Sequence, residues 1–261
     1  MMAYETIKVE MADRRATLTF NRPNVANAMD FQMMKELADC LEFLKDNPEV
    51  QILVIKGEGN IFSAGGDIKM MMTSGDPKDF GNIMEYISRM VLALYQLPMI
   101  TIAQIHGAAA GLGFSLALGC DIIVAEEKSK LAMNFIGIGL IPDGGGHFFM
   151  KERVGTSKAK QLIWAGNVMS PEEALDLGLI DHKVGEGESE SFVDQLVGKI
   201  LSSPILAMLE TKSILHKQKL SELTSILELE SEGQVRMRKT EDHLEGIKAF
   251  IEKRTQQFKG K

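Results

Sequence analysis

The stretch MITIAQIHGAAAGLGFSLALGCDIIVA, Met99–Ala125, decides the fold. Met99–Ile105 is an apolar run broken only by Thr101 and Gln104, the pattern of a strand buried on both faces. Small residues from Gly107 to Gly113 lead into a short helix, Leu112 to Gly119, and Asp121–Ala125 is the next apolar run. Upstream, Ile52–Ile55 is another such run, and a helix over about 77–97, stopped by Pro98, separates it from Met99. Helices alternating with buried strands imply an α/β protein with largely parallel sheets.

Toward the N-terminus, Tyr4–Met11 and Arg15–Phe20 alternate apolar and polar residues and read as a hairpin turning at Ala12–Arg14. Asp30 caps a helix whose Phe31, Met34, Leu37, Leu41 and Leu44 recur at three- and four-residue spacing. Toward the C-terminus no strand candidate remains after about Leu201. Residues 204–217, 220–239 and 241–253 read as three helices whose apolar stripes need a partner, either the core or another subunit. The expected organisation is a core over residues 1–200 and a helical region over 201–261.

The chain has 261 residues, 45% hydrophobic and 25% charged, ordinary for a globular protein and too apolar for wholesale disorder. Its net charge of −7 comes without a basic block, which argues against nucleic-acid or membrane-surface partners. Two cysteines, Cys40 and Cys120, are too few for a disulfide framework or a zinc ribbon. The opening MMAYETIKVE carries charge where a signal peptide needs an apolar core, so a cytoplasmic location is expected.

Three glycine-rich segments depart from core patterning. In Phe62-Ser63-Ala64-Gly65-Gly66-Asp67-Ile68-Lys69 the glycines free backbone N–H groups to meet a ligand oxygen, although an ordinary turn capped by Asp67 fits equally. His106–Gly113 carries GxxxGxG, the phosphate-binding pattern of short-chain dehydrogenases. That reading fails, because those enzymes need a Tyr-xxx-Lys pair downstream of the motif and no tyrosine lies downstream. In Gly139–His147, Asp143 follows a proline and precedes three glycines. It is either a helix N-cap or an exposed-backbone acid whose apolar surroundings raise its basicity.

Together, and in this order, the segments resemble the crotonase (enoyl-CoA hydratase/isomerase) superfamily. The match extends over nearly the whole chain. It includes Asn21-Arg22-Pro23 with Asn27-Ala28, Cys120-Asp121, Ala174 to Gly178-Leu179-Ile180-Asp181, and Glu245-Gly246 through Arg254. The resemblance implies a spiral of ββα units with a C-terminal helical trimerisation region, assembled as a homotrimer or dimer of trimers. It implies acyl-CoA thioesters as substrates, as in fatty-acid metabolism, with coenzyme A part of the substrate and no metal or other cofactor. It also implies that the N–H groups of Gly66 and Leu112 hold the thioester oxygen, and that Ala64, Asp67, Ile68 and Lys69 line the CoA site. Phe250 and Lys253 fall where relatives meet the adenine or phosphates.

Hydratases of that superfamily use two glutamates, and Ser115 and Phe135 stand at their positions. Asp143 remains, at a place where certain related isomerases carry their working acid. The resulting expectation is a double-bond isomerase with Asp143 as proton shuttle. The alternatives are a hydratase with a non-standard acid/base set, a catalytically weak acyl-CoA binder, and a CoA thioesterase built on Ser115, Asp143 and His147. The thioesterase lacks a GxSxG elbow, and Ser115 reads better as a small filler of the pocket. Met70, Met71, Met72, Met84 and Met90 read as adaptable packing or a pliable wall for an acyl chain. His106, His182, His216 and His243 show no metal-ligand spacing.

Overall fold

The computed structural model describes residues 4–69 and 77–261, so Met70, Met71 and Met72 lie outside the described residues. Strands β1 (Ile7–Ala12) and β2 (Arg15–Phe20) form the expected hairpin, pairing Ala12 with Arg15. Its two turn residues, Asp13 and Arg14, both have positive φ (49° and 66°). That is the turn whose twist matches antiparallel strands. From β2 the main sheet continues in parallel through β3 (Ile52–Gly57), β4 (Ile100–Ile105), β6 (Ile122–Glu126) and β9 (His182–Val184).

The chain leaves this sheet after β4 to form β5 (Ala108–Ala110), and after β6 to form β7 (Lys130–Ala132). These short strands pair in parallel and, with β8 (Val168–Met169), build a second sheet. A parallel bridge between Ser63 and Ala109 extends the same layer. Each turn of the spiral closes with a helix: α1 (Phe31–Lys45), α2 (Pro77–Tyr95), α3 (Leu112–Leu118) and α4 (Gly146–Ala165). The Asp30 carboxylate caps α1, accepting from the Met33 N–H at 2.9 Å. Phe31 stays largely exposed, with its ring edge-on to Tyr86, while Met33, Met34, Leu37, Leu41 and Leu44 are buried.

Two apolar layers explain why the central strands read as unbroken runs. Leu53, Ile55, Ala103 and Ile105 face the main core, whereas Ile52, Val54, Ile100 and Ile102 pack with Val193, Val197 and Ile200 on the opposite side. The latter three belong to α6 (Ser189–Leu201), which follows α5 (Pro171–Asp176) and β9. After α6 the chain is helical, as α7 (Ile205–Met237) and α8 (Glu241–Glu252). The break expected between residues 217 and 220 is absent. Gln218 and Lys219 are good helix formers, no proline or glycine interrupts the turn, and α7 runs unbroken for 33 residues.

Leu223 and Leu227 of α7 join the main core, so the core itself covers that half of the stripe. Leu206, Ile214, Leu215 and Leu229 remain exposed. Lys212 ties α7 to the sheet: its ammonium donates to the Met99 carbonyl at 2.8 Å and meets Asp121 Oδ2 at 2.6 Å. Asp121 Oδ2 also accepts from the N–H and hydroxyl of Thr101. Among the described residues no single helix is long and apolar enough to cross a membrane.

Candidate active site

The segment Asn21–Asp30 is the scaffold for the first glycine turn. Asn27 is fully buried; its Oδ1 accepts from the Arg22 N–H, and its Nδ2 donates to the carbonyls of Glu58 and Ile61, all at 2.9 Å. The Arg22 guanidinium spans Asp30 (2.9 Å), Asp67 (3.3 Å) and the Ala28 carbonyl. Met29 N–H donates to Gly65 O and Asp67 N–H to Met29 O, which leaves Gly66 strung between two fixed neighbours. Asp67 Oδ1 accepts from the Lys69 N–H at 3.0 Å, so its capping role is real.

The second glycine segment lies directly alongside. Ser63 N–H donates to Ala108 O and Ala110 N–H to Ser63 O, which sets the two turns in fixed register. Gly65 has φ +91°, and a Cβ there would lie 2.6 Å from Ala110 O and 3.2 Å from Leu112 N. Only glycine permits this approach. Among the described residues, the N–H groups of Gly66 and Leu112 meet no acceptor. Two unspent donors from adjacent turns therefore open on one cleft, lined by Gly66, Leu112 and Asp143 with Met34, Ile83, Met84, Ile87, Phe135 and Leu140.

Asp143 stands two residues before Gly145, which occupies the N-cap position of α4 with no side-chain cap. The N-cap reading of Asp143 is thus replaced by a different role. Gly144 and Gly145 have φ of +66° and +76°, a reversal that presses this turn against Leu112. A Cβ on Gly144 would sit 2.4 Å from Leu112 Cδ1. Asp143 is 6% exposed; its Oδ1 is buried with no hydrogen-bond partner among the described residues. Burial, and secondly the Glu230 charge, push its carboxyl well above the usual carboxylate range.

Two further side chains reach this turn from α7. Glu230, 2% exposed, accepts from the N–H of Gly145 (2.8 Å), the N–H of His147 (3.0 Å) and His147 Nδ1 (2.8 Å). Gln234, 1% exposed, donates through Nε2 to Ile141 O (2.6 Å) and to Asp143 Oδ2 (3.3 Å). The leucine stripe Leu223–Leu227, continued by three and four residues, lands on both, which is the signal sequence reading passed over.

A sequence profile described as enoyl-CoA hydratase/isomerase matches residues 13–261. The chain belongs to this family. YhaR of Bacillus subtilis, named an enoyl-CoA hydratase/isomerase, is 48% identical over 243 residues, 93% of this chain and 94% of the relative. The trans-2-decenoyl-[acyl-carrier-protein] isomerase of Streptococcus mutans is 30% identical across the full length of both chains. The crystal structure of an enoyl-CoA hydratase from Mycobacterium avium subsp. paratuberculosis superposes with a TM-score of 0.89 at 32% identity, over 98% of this chain and all of the other. The fold is crotonase-like, with its C-terminal helices in place.

Within this enoyl-CoA hydratase/isomerase fold the remaining expected residues divide. Phe135 lines the cleft together with Asp143. Ala64 and Lys69 are exposed, with Asp67 and Ile68 half-buried, on the open side of the first turn. Ser115 and His147, expected in the pocket, do not line it. Ser115 is fully buried behind the glycine turn, where a Cβ on Gly146 would lie 2.9 Å from its Oγ, and its hydroxyl points to Met133 Sδ at 3.6 Å. His147 is turned away to Glu230. The arrangement leaves no Ser–His–Asp relay.

Phe250, on α8, and Lys253, its C-cap, are exposed and lie outside the cleft. Met84 both lines the cleft and joins the core, while Met90 is core alone. His243 donates through Nδ1 to Ile138 O, His216 donates likewise to Tyr95 O, His106 meets Gly59 O, and His182 packs on Phe192. Among the described residues no group of three or more His, Cys, Asp or Glu could hold a metal ion.

Proposed function

We propose that this protein shifts the double bond of enoyl thioesters, with acyl-CoA the substrate class, using Asp143 as the proton shuttle. The observation that carries the reading is that Asp143 is the one carboxylate lining the cleft, among the described residues, and keeps an unpartnered buried oxygen. The thioester carbonyl oxygen accepts from the N–H groups of Gly66 and Leu112, which stabilise negative charge as it develops on that oxygen. Asp143 removes a proton from C2 of a 3-enoyl thioester and the electron pair delocalises into a dienolate. The same carboxyl, now protonated, returns that proton to C4, and the 2-enoyl thioester results. Proton and electrons balance within substrate and side chain, so the step needs no metal or redox partner.

A carboxyl with raised proton affinity is a stronger base toward a weakly acidic C–H. Apolar walls from α2 and Phe135, and the lack of a second carboxylate lining the cleft among the described residues to activate a water, favour isomerisation over hydration. The relative from Streptococcus mutans, named a trans-2-decenoyl-[acyl-carrier-protein] isomerase, supports this reading. The exposed Ala64 and Lys69 beside Gly66 support a CoA moiety leaving the cleft on that side.

A panel of 2-enoyl- and 3-enoyl-CoA esters, run on wild type and Asp143→Asn, tests the proposal. Isomerisation of 3-enoyl-CoA is expected in wild type and lower by about 10²–10⁴-fold in the variant. Full isomerase activity in Asp143→Asn, or hydration alone in wild type, would refute it.

A further inference from the structure

The turn that carries Asp143 is held from the far end of the chain. Glu230 and Gln234 lie one helical turn apart on α7, each nearly sealed from solvent, and neither touches the space a substrate would fill through more than Gln234's edge of the cleft. Glu230 gathers the Gly145 and His147 N–H groups and the His147 ring, which closes the α4 N-terminus onto α7. Gln234 fixes Ile141 O and Asp143 Oδ2 with one amide group, so the carboxylate is clamped by one oxygen and presents the other.

Resting on the reading of Asp143 given above, we propose that Glu230 and Gln234 are positioning residues that set the orientation and proton affinity of Asp143 in opposite senses. The Gln234 amide donates to the ionised carboxylate and so favours its charged form. The Glu230 carboxylate opposes that charge while it anchors the turn. Burial of Asp143 and the Glu230 charge both raise its proton affinity, in line with this division of roles. Among the described residues, the other charged or titratable groups facing the pair are Arg238, which caps the C-terminus of α7 at the cleft wall, and His147, already engaged by Glu230. The cleft residues from α2 and the start of α3 are apolar.

The experiment is the pH–rate profile of Glu230→Gln and Gln234→Leu with 3-enoyl-CoA, beside thermal unfolding of each full-length variant. Removing the Glu230 charge is expected to move the acid limb to lower pH, and removing the Gln234 donor to move it to higher pH, each by about half a pH unit or more. In Gln234→Leu, kcat is expected to fall about 10-fold or more while KM changes less than about threefold. A merely structural role would lower both variants' stability without splitting the two limbs in opposite directions.

Should Gln234→Leu not fold, Gln234→Met keeps the side-chain length without the donor. Should either variant be inactive, a ¹³C titration of the Asp143 carboxyl in the ligand-free protein reads the same shifts. Profiles or titrations that coincide with wild type, or that shift in the same direction, would overturn the inference. An active Asp143→Asn would instead overturn the functional reading itself, and a dead Asp143→Asn with unmoved limbs would overturn this inference alone.

Discussion

Gly65→Ala probes the contact on which the donor pair depends. The new methyl would lie 2.6 Å from Ala110 O and 3.2 Å from Leu112 N, and the backbone there has φ +91°. To reach an ordinary contact of 3.4 Å, the Ala110 carbonyl has to retreat by about 0.8 Å. That carbonyl is two residues from the Leu112 donor and in the same rigid strand-to-helix connection, so the displacement passes directly to the N–H. A misplacement of about 1 Å in a reacting geometry costs roughly 10²-fold in rate. Left-handed strain of about 1–2 kcal/mol and over-packing of about 1–3 kcal/mol add a stability loss. The assay is steady-state turnover of 3-enoyl-CoA on folded variant, with calorimetric unfolding alongside. The expectation is a kcat about 10²-fold lower in a protein that melts earlier but cooperatively. A folded Gly65→Ala with kcat within threefold of wild type would refute the view that these two turns must touch to place the donors.

The raised proton affinity of Asp143 also shows in stability. The folded state holds that proton more tightly than the unfolded chain, so the contribution is complete below the ordinary aspartate pKa of about 4 and is lost as pH rises through the folded value. Asp143→Asn cannot ionise, and is expected to be more stable than wild type at pH 8 with the difference closing toward pH 3; chemical denaturation across that range checks it. Lys212→Met removes the buried ammonium from the half-buried Asp121, which keeps its Thr101 hydrogen bonds, and is expected to cost about 1–3 kcal/mol with little effect on kcat, read by urea unfolding and turnover.

Much of the architecture was legible because local rules and tertiary needs coincide. Ile52–Ile55 and Met99–Ile105 had to be strands covered on both sides, and alternate residues do face two separate apolar layers. The small residues of the first two turns leave room for backbone to meet backbone, as Gly65 and Ala110 O do. Asp143 stood out as an acid among apolar residues, and burial bears out that environment. Less was legible where a residue's meaning depends on what it packs against. Glu230 and Gln234 sit in the charged run ILELESEGQVRMRK, which alone reads as a solvated helix face. Only the docking of α7 through Leu223 and Leu227 turns them inward. Ser115 and His147 failed as pocket residues for a related reason: the reversal at Gly144 and Gly145 puts backbone between Ser115 and the cleft, and Glu230 supplies the partner that draws His147 away.

The central claim is that one carboxyl takes a proton from the carbon next to a thioester held by two main-chain amides. Incubating a 3-enoyl-CoA dideuterated at C2 with enzyme and following the label at C2 and C4 by mass spectrometry measures that act directly. Wild type should deliver label removed from C2 to C4 of the 2-enoyl product, and Asp143→Asn should bind the ester yet leave both deuterons at C2. Loss of the C2 label at the wild-type rate in the variant would contradict the account.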